Sequence, residues 1–263
     1  MLWVIQENWE ELPQLEAALK ANNTAYCIGY PDSITAGETI IPRGSMQFVE
    51  TLDSRFGEYS GMVSWTPQNY ECNYYYTQLQ IEKLLNGQCA FLPWKHLEAY
   101  GDKLFNLFGE RLFIRPNEGY KTFTGTTVGK PYFYKELEII KNLPHMIRKP
   151  KAYSLKPETL VLVSSAQKLL YNEYRFLMLG QKILSYSSYS TRPEQVHPGV
   201  PEKDLFSFVG SLDYRPDWCY TVDVCLHNGH LKVVEYNSGV CAGWYDMNYD
   251  KIVKEFNNER WKL

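Results

Sequence analysis

The segment TVDVCLHNGHLKVVEYNSG, residues 221–239, contains the strongest structural signal of the chain. Its two apolar runs, Thr221–Leu226 and Leu231–Tyr236, flank a short polar stretch with Asn228 and Gly229 at its centre. An Asn-Gly pair between two such runs is typical of a β-hairpin. The sequence therefore predicts two antiparallel strands joined by a tight turn.

The length of the loop determines which polar side chains of this hairpin share a face. Side chains alternate along a strand, so Glu235 and Asn237 lie on the same face. A loop with an odd number of residues, for example with Gly229 in a left-handed bulge, places Asp223 on that face too, whereas a two-residue loop points it away. The odd loop is favoured because it alone lets four apolar side chains bury together on the second face. They are Val222, Val224, Val234 and Tyr236.

Asp223, Glu235 and Asn237 would then form a cluster made only of oxygen ligands. Two carboxylates and an amide oxygen in the middle of paired strands are costly unless a cation neutralises them. Hard oxygen ligands suit Mg²⁺, which takes one or two protein carboxylates and completes its shell with water and phosphate oxygens. The alternative is a solvated edge hairpin whose acidic side chains face water, and the spacing alone does not decide between the two.

Three basic residues upstream of the hairpin are candidates for phosphate binding. Arg115 closes an apolar strand that Pro116 ends, and Lys121 follows in a polar stretch with several glycines. A guanidinium at a strand end is a fixed fork for phosphate oxygens, and a lysine on a mobile loop can close over them. Arg175 alternates with apolar neighbours and lies on the polar face of its strand. Each of these residues alone would more often be a surface ion-pair residue.

Six short segments carry these residues in a fixed order along the chain. They are 113–116 (FIRP), 121–125 (KTFTG), 162–165 (LVSS), 172–176 (NEYRF), 221–224 (TVDV) and 234–239 (VEYNSG). In this order they resemble the ATP-grasp superfamily, and most closely the clade named for one arginine and two lysines, which is often phage- or toxin-associated. The resemblance covers about residues 90–263.

The resemblance implies a fold, a reaction and a cofactor. ATP-grasp enzymes hold ATP between two antiparallel sheets and use it, with Mg²⁺, to convert a carboxylate into an acylphosphate that an amine or thiol attacks. By this resemblance the metal ligands are Asp223, Glu235 and Asn237. The chain is then an α+β or α/β protein, in which an ATP-grasp fold follows a small α/β domain.

The remaining site residues are also implied by the resemblance. Arg115 and Lys121 hold the phosphates, although many members have a lysine where Arg115 stands. The adenine hinge, where backbone groups read the base, consists of Val163, Ser164 and Ser165. Glu173 is a candidate for the ribose, and Arg175 faces the γ-phosphate or the acyl intermediate. Lys121 and Arg175 are the implied catalytic residues.

The chain before residue 90 matches the family only as an α/β domain. Leu2–Ile5, Trp9–Ala21 and Thr24–Gly29 predict strand, helix and strand, and no G-x-G-x-x-G follows the first strand. We expect residues 1–90 to form an N-terminal domain, 91–158 the first ATP-grasp subdomain and 159–263 the second. Further elements are also predicted. They are a helix over Tyr75–Leu85, a helix or strand over Tyr132–Lys141, strands over Leu112–Arg115, Leu160–Ser164, Glu173–Leu179 and Ile183–Tyr189, and a helix over Tyr249–Trp261.

Composition excludes several classes of partner. The 263 residues carry a net charge of −3, so the chain lacks the overall positive charge that is typical of generic binding to nucleic acid or to an anionic membrane. No apolar run approaches the roughly 20 residues of a membrane helix. The six cysteines include no Cys-x-x-Cys pair, and Met1–Asn8 does not resemble a signal peptide. We therefore expect a cytoplasmic protein with reduced thiols, whose oligomeric state the sequence does not indicate.

Three functions remain open. The first is a ligase that joins a small-molecule or peptide carboxylate to an amine or thiol. The second is an ATP-grasp kinase that phosphorylates without ligation. The third is a nucleotide-binding interaction protein without turnover, for which the aromatic segment Trp65–Tyr76 would be the contact surface; the alternative for that segment is packing within the first domain.

Overall fold

The structure is a computed structural model that describes residues 1–35, 37–57, 61–63, 65–120, 122–146, 155–167, 173–189 and 199–259. Lys121, His197, Arg260 and Trp261 lie outside these ranges. In the described ranges the strands form three four-stranded sheets that follow one another along the chain.

The N-terminal sheet is parallel and has the strand order β2-β1-β3-β4. Its elements are β1 (Leu2–Ile5), α1 (Leu12–Ala21), β2 (Tyr26–Ile28), β3 (Thr39–Arg43), α2 (Met46–Phe56) and β4 (Gly61–Met62). The predicted opening of strand, helix and strand is confirmed. Trp3, Val4 and Ile5 of β1 are fully buried, as expected for a central parallel strand covered on both faces.

The helix predicted over Tyr75–Leu85 is wrong. The helix in this region, α3, spans only Cys72–Tyr75, and a single 3₁₀ turn follows at Ile81–Lys83. The reason is tertiary pairing, because the chain then runs beside the hairpin and the Leu85 amide donates to the Val233 carbonyl at 2.9 Å. A backbone bond to a neighbouring strand thus replaces the bonds of a longer helix.

The second sheet is antiparallel, with the order β5-β8-β6-β7. Its elements are β5 (Cys89–Pro93), α4 (Leu97–Phe108), β6 (Arg111–Pro116), β7 (Thr126–Gly129), α5 (Phe133–Met146) and β8 (Leu160–Ser165). The segment Tyr132–Lys141, for which both a helix and a strand were predicted as alternatives, is helical from Phe133 onward, in α5. Both helices contribute to one apolar cluster with the sheet, in which Phe105 and Phe133 meet edge to face at 5.2 Å.

The third sheet is also antiparallel, with the order β10-β9-β11-β12. Its elements are β9 (Glu173–Leu179), β10 (Lys182–Tyr189), α6 (Glu202–Gly210), β11 (Cys219–His227), β12 (His230–Ser238) and α7 (Tyr249–Asn258). The predicted strands of this region and the helix that begins at Tyr249 are confirmed. The chain passes from the first sheet to the second between β4 and β5, and residue 90 as a domain boundary stays a prediction.

The loop of the β11–β12 hairpin is shorter than expected. His227 pairs with His230, so the loop consists of Asn228 and Gly229 alone. Their φ angles are 50° and 78°, which are the two positive values of a type I′ turn. The prediction of a loop with an odd number of residues is therefore wrong, and alternation alone would point Asp223 away from the polar face.

A β-bulge in β12 restores the predicted alignment of the acids. Asp223 lies opposite Glu235, but the next residue, Val224, lies opposite Val233, so Val234 is the extra residue. The bulge reverses the alternation between turn and site. It also corrects the expected apolar face, because the buried neighbour of Val224 is Val233 and not Val234.

One large apolar core joins the N-terminal sheet to the third sheet. Trp3 packs against Trp244 at 6.3 Å and against Phe256 of α7 at 5.0 Å between ring centroids. Within the described ranges, no helix combines the length and the apolar character that crossing a bilayer requires.

Candidate active site

Three charged residues lie side by side across the third sheet. Arg175 of β9 pairs in register with Asp223 of β11, which in turn pairs with Glu235 of β12. Directly opposed residues of antiparallel strands share a face. Because Asn237 lies two residues beyond Glu235, it projects from the same face. The hairpin therefore places all three predicted metal ligands on one side.

Arg175 and Asp223 form a buried, bidentate ion pair. The Arg175 Nε donates to Asp223 Oδ1 at 2.8 Å and its Nη2 donates to Oδ2 at 2.7 Å. Its Nη1 donates to the Gly243 carbonyl at 3.0 Å. Burial opposes the charge of Arg175, but the hydrogen bonds to Asp223 and the charge of Asp223 outweigh it and raise the pKa of the guanidinium.

Tyr189, which the sequence analysis missed, connects two carboxylates of this face. Its hydroxyl lies 2.6 Å from Glu173 Oε2 and 3.1 Å from Asp223 Oδ2. Burial raises the pKa of both Tyr189 and Glu173. A hydroxyl has one proton, so it can donate to only one of the two carboxylates at a time. The signal for Tyr189 was its place at the end of the strand predicted over residues 183–189.

Glu235 lies between two arginines. Its Oε2 is 3.2 Å from Arg115 Nη1, and its Oε1 is 3.9 Å from Arg175 Nη2. The Asn237 side-chain amide donates to Glu235 Oε1 at 3.0 Å. Arg115 comes from the second sheet and Arg175 from the third, so Glu235 marks the place where the two antiparallel sheets approach each other.

A cavity of about 360 Å³ lies between these two sheets. Arg115, Glu173 and Glu235 are its charged lining residues. The rest of the lining combines apolar and neutral polar side chains, which is typical of pockets for small molecules and cofactors. These residues are Leu85, Asn86, Phe113, Pro116, Phe123, Thr124, Gly125, Thr127, Gln167 and Val234.

The three predicted hinge residues do not line this cavity. Val163 is fully buried in the second sheet, between Ala90 and Ile114. Ser165 donates its hydroxyl to the Phe108 carbonyl at 2.6 Å.

The hydroxyl of Ser164 makes an indirect link between the predicted hinge and the cavity. It lies 3.1 Å from Asn86 Oδ1, and Asn86 is a lining residue. The side-chain amides that reach the cavity are those of Asn86 and Gln167. Neither residue could be predicted from the sequence, because neither belongs to a recognisable motif.

A second cavity of about 250 Å³ adjoins the charged row, which is the row formed by Arg175, Asp223 and Glu235. Arg175 and Asn237 line it, together with Tyr236, Ser238 and the loop residues 241–243 and 245. The opposite wall is formed by Met46, Trp65, Tyr70 and Gly119. Glu235 of the charged row lines the first cavity and Arg175 lines the second, so the row contacts both cavities.

The aromatic segment Trp65–Tyr76 contributes more to packing than to the surface. Tyr70 and Tyr75 are buried in the large core, and Trp65 lies against Tyr120 at 5.3 Å. Tyr74 is the exposed member of this group. The segment therefore forms a wall of the second cavity.

The donor chemistry of the charged row fits a hard cation in part. Across the described portion of the chain, no group of three or more His, Cys, Asp and Glu side chains is arranged to hold a metal ion. Both oxygens of Asp223 accept hydrogen bonds from Arg175. Glu235 and Asn237 add oxygen donors beside the cleft, and such ligands suit Mg²⁺.

Comparison with known proteins identifies the fold. A search of curated proteins finds no match. Among solved structures, the chain is similar to D-cycloserine synthetase DcsG, with 11% identity, 97% of this chain and 98% of that chain covered, and a TM-score of 0.65. It is similar to D-alanyl-alanine synthetase A from Vibrio cholerae, with 11% identity, 99% and 95% covered, and a TM-score of 0.61. It is also similar to the ATP-grasp ligase PsnB in complex with a minimal precursor, with 9% identity, 96% of each chain covered, and a TM-score of 0.58.

At these identities the solved structures establish the fold alone. The sequence family is established separately, because residues 102–254, more than half of the chain, match the model of an ATP-grasp domain, the second family of the clade named for one arginine and two lysines. The matched range contains the two antiparallel sheets from β6 onward and the whole charged row. The chain belongs to this clade of the ATP-grasp superfamily.

Proposed function

We propose that this protein is an ATP- and Mg²⁺-dependent ligase that activates a carboxylate as an acylphosphate and transfers the acyl group to an amine or thiol. The observation that carries the proposal is the position of Glu235, which lines the cavity between the antiparallel sheets, contacts Asn237 and lies between Arg115 and Arg175. A ligase of this type needs one cavity for the nucleotide and another for the carboxylate and its acceptor.

The cavity between the antiparallel sheets is the proposed nucleotide site. Phe113 and Phe123 provide apolar surface for the base, and Glu173 lies where a ribose hydroxyl could bind. Arg115 binds phosphate oxygens, and Lys121 contributes a second positive charge. Asn86 and Gln167 are the side chains proposed to contact the base. Val163, Ser164 and Ser165 stay the proposed hinge behind them, and Ser164 is connected to the cavity through its contact with Asn86.

Glu235 and Asn237 are the residues that would hold Mg²⁺, with Asp223 as the third ligand. When bound, the cation supplies charge neutralisation for the triphosphate. Phosphoryl transfer requires positioning and charge stabilisation more than covalent help from the protein. Arg175 provides the corresponding positive charge on the side of the second cavity, where an acylphosphate would form.

The second cavity is the proposed site of the carboxylate and its acceptor. It is smaller than most pockets for drug-sized ligands, and aromatic side chains form much of its wall. The similar structures are named for D-cycloserine, for D-alanyl-alanine and for a peptide precursor. These names support a small amino acid or the end of a peptide as the substrate of this chain.

The test is a screen of amino acids and peptides for ADP release in the presence of ATP and Mg²⁺. A hit is then repeated with a carboxylate labelled with heavy oxygen. An acylphosphate route transfers one labelled oxygen to the released phosphate, because the carboxylate oxygen attacks phosphorus and leaves with it when the amine or thiol attacks the carbonyl carbon.

The other two functions predict different products. A kinase gives ADP and a stable phosphorylated product, and no free phosphate. A nucleotide-binding interaction protein binds ATP but releases no ADP with any substrate. Release of unlabelled phosphate only would contradict the acylphosphate route.

A further inference from the structure

A second buried ion pair lies outside the charged row, in the N-terminal part of the chain. Arg43, the last residue of β3, is fully buried, and its Nη2 contacts Glu11 Oε2 at 2.6 Å. Its Nη1 donates to the carbonyls of Gly239 at 2.8 Å and Ala242 at 3.0 Å. The guanidinium also lies over the Trp244 ring, 3.7 Å from its centroid. Arg43 therefore binds the loop that follows the β11–β12 hairpin.

Glu11 binds the same loop with its other oxygen. Its Oε1 accepts hydrogen bonds from the backbone amides of Trp244 and of Tyr245, the latter at 3.0 Å. The carboxylate thus connects the Arg43 guanidinium to two consecutive amides. Hydrogen bonds to a charged acceptor are stronger than those between neutral groups. Together Glu11 and Arg43 hold the loop at both of its ends, near Gly239 and near Tyr245.

The far side of this loop contacts Arg175. The Gly243 carbonyl accepts from Arg175 Nη1, and the Tyr245 ring lies 4.9 Å from the guanidinium carbon. Tyr245 also packs on Tyr189, with ring centroids 4.8 Å apart. The loop therefore has Glu11 and Arg43 on one side and the Arg175 guanidinium on the other, and it forms part of the second cavity.

We propose that Glu11 and Arg43 are positioning residues for Arg175. They fix the loop 239–245, so that Gly243 and Tyr245 orient the guanidinium toward the second cavity. The N-terminal parallel sheet, through this pair, determines the geometry of a residue of the ATP-grasp site. The consequence for catalysis rests on the proposed function, whereas the effect on the loop does not.

The first experiment measures the loop directly. Glu11→Gln keeps the shape of the side chain but removes the charge shared by Arg43 and the two amides. Hydrogen exchange in a peptide spanning 239–247, followed by mass spectrometry, should become about tenfold faster. The matched control is Glu16→Gln on α1, which removes a carboxylate that binds Lys20 and Tyr26 and does not touch the loop. Equal exchange in the two variants would overturn the proposal.

The second experiment measures the consequence for the site. With a substrate found by the ADP-release screen, Glu11→Gln should lower kcat/KM for the carboxylate by about tenfold or more, because a displaced Arg175 no longer meets it. The KM for ATP should stay within about twofold of the wild type, because the nucleotide cavity does not include the loop. A protein that is merely less well folded would lose kcat with both KM values unchanged, and this result would also overturn the proposal.

A third variant keeps the proposal testable if substitution of the buried Glu11 prevents the protein from folding. Tyr245 is 45% exposed, and Tyr245→Leu removes the ring from Arg175 while leaving Glu11 and Arg43 in place. It should reproduce the loss in kcat/KM for the carboxylate without the faster exchange. If the screen finds no substrate, the proposed function fails, and the exchange comparison still decides whether Glu11 fixes the loop.

Discussion

Arg175 and Asp223 face each other across β9 and β11 and share two hydrogen bonds, at 2.8 Å and 2.7 Å. This contact puts a neutralised pair of charges in the interior of the third sheet, and Arg175 also lines the second cavity. The Tyr189 hydroxyl, which Asp223 shares with Glu173, lies 3.1 Å from Asp223 Oδ2. The pair therefore connects the two central strands of the third sheet.

Arg175→Met should unfold more easily than the wild type. The variant leaves Asp223 buried without its charged partner, which costs about 3–5 kcal/mol in comparable buried pairs. The free energy of unfolding by urea measures this loss. The double variant Arg175→Met with Asp223→Asn should recover part of it, because no unpaired charge remains.

The matched control is Lys182→Met, which breaks a half-exposed pair with Glu255 and should change the free energy of unfolding by less than about 1 kcal/mol. If Arg175→Met and Lys182→Met are equally stable, Asp223 is not buried as described.

Glu235→Gln should lower Mg²⁺-dependent ADP release by about 100-fold or more. The variant keeps the side-chain shape and removes the negative charge between the two arginines, on which the proposed cation site depends. Circular dichroism should show a folded protein with a cooperative transition. Glu255→Gln on α7 is the control, since its carboxylate contacts only Lys182 on the outer surface in the described contacts. Turnover of Glu235→Gln within a few-fold of the wild type would exclude Glu235 from the site.

Gly125→Ala should weaken nucleotide binding. A Cβ at Gly125 would lie 2.7 Å from the Phe113 ring, and both residues line the proposed nucleotide cavity, so the ring must move into the space proposed for the base. Overpacking of this kind predicts an increase of about tenfold in the Kd for ADP, measured by calorimetry. Gly129→Ala is the matched control, because its Cβ would meet only Pro131, at 3.9 Å. Equal affinities of the two variants would show that Phe113 does not limit the cavity.

Asp217→Asn should become more stable relative to the wild type as the pH rises. Burial raises the pKa of Asp217 above the usual 3.8, although the Thr66 amide, which donates to it at 2.9 Å, acts in the opposite direction. The folded state therefore binds the proton more tightly than the unfolded state, and stability falls as the pH rises from 3.8 through the raised pKa. Asparagine does not titrate. The difference between the free energies of unfolding of the two proteins should therefore be constant below this range, change within it and be constant again above it. Parallel curves across the whole range would contradict a raised pKa.

Several strands could be predicted to within a residue, because their apolar runs are bounded by turn residues. Glu173–Leu179 is a clear example, since it is followed by Gly180 and its observed bounds equal the predicted ones. The helix expected over Tyr75–Leu85 failed because a hydrogen bond to Val233, far away in the chain, determines the conformation there. Local periodicity contains no information about such a partner.

The order of the site residues along the chain could be predicted from the sequence, but the contacts between their side chains could not. The sequence placed Asp223 and Glu235 on one face, although the reason it offered, an odd loop, was not the one the fold uses. A bulge depends on the packing of Val233 and Val234, which alternation cannot distinguish. Glu11 and Arg43 were not recognised at all, because they meet the site only through backbone groups of a distant loop.

The bulge at Val234 separates the geometry of the site from the tip of its hairpin. Since the alternation is reset between the turn and Glu235, the turn at Asn228 and Gly229 can be lengthened by an even number of residues without rotating the acids out of the cleft. The tip is exposed and remote from both cavities. It is thus a natural attachment point for a fluorophore or a short epitope that leaves the charged row unchanged.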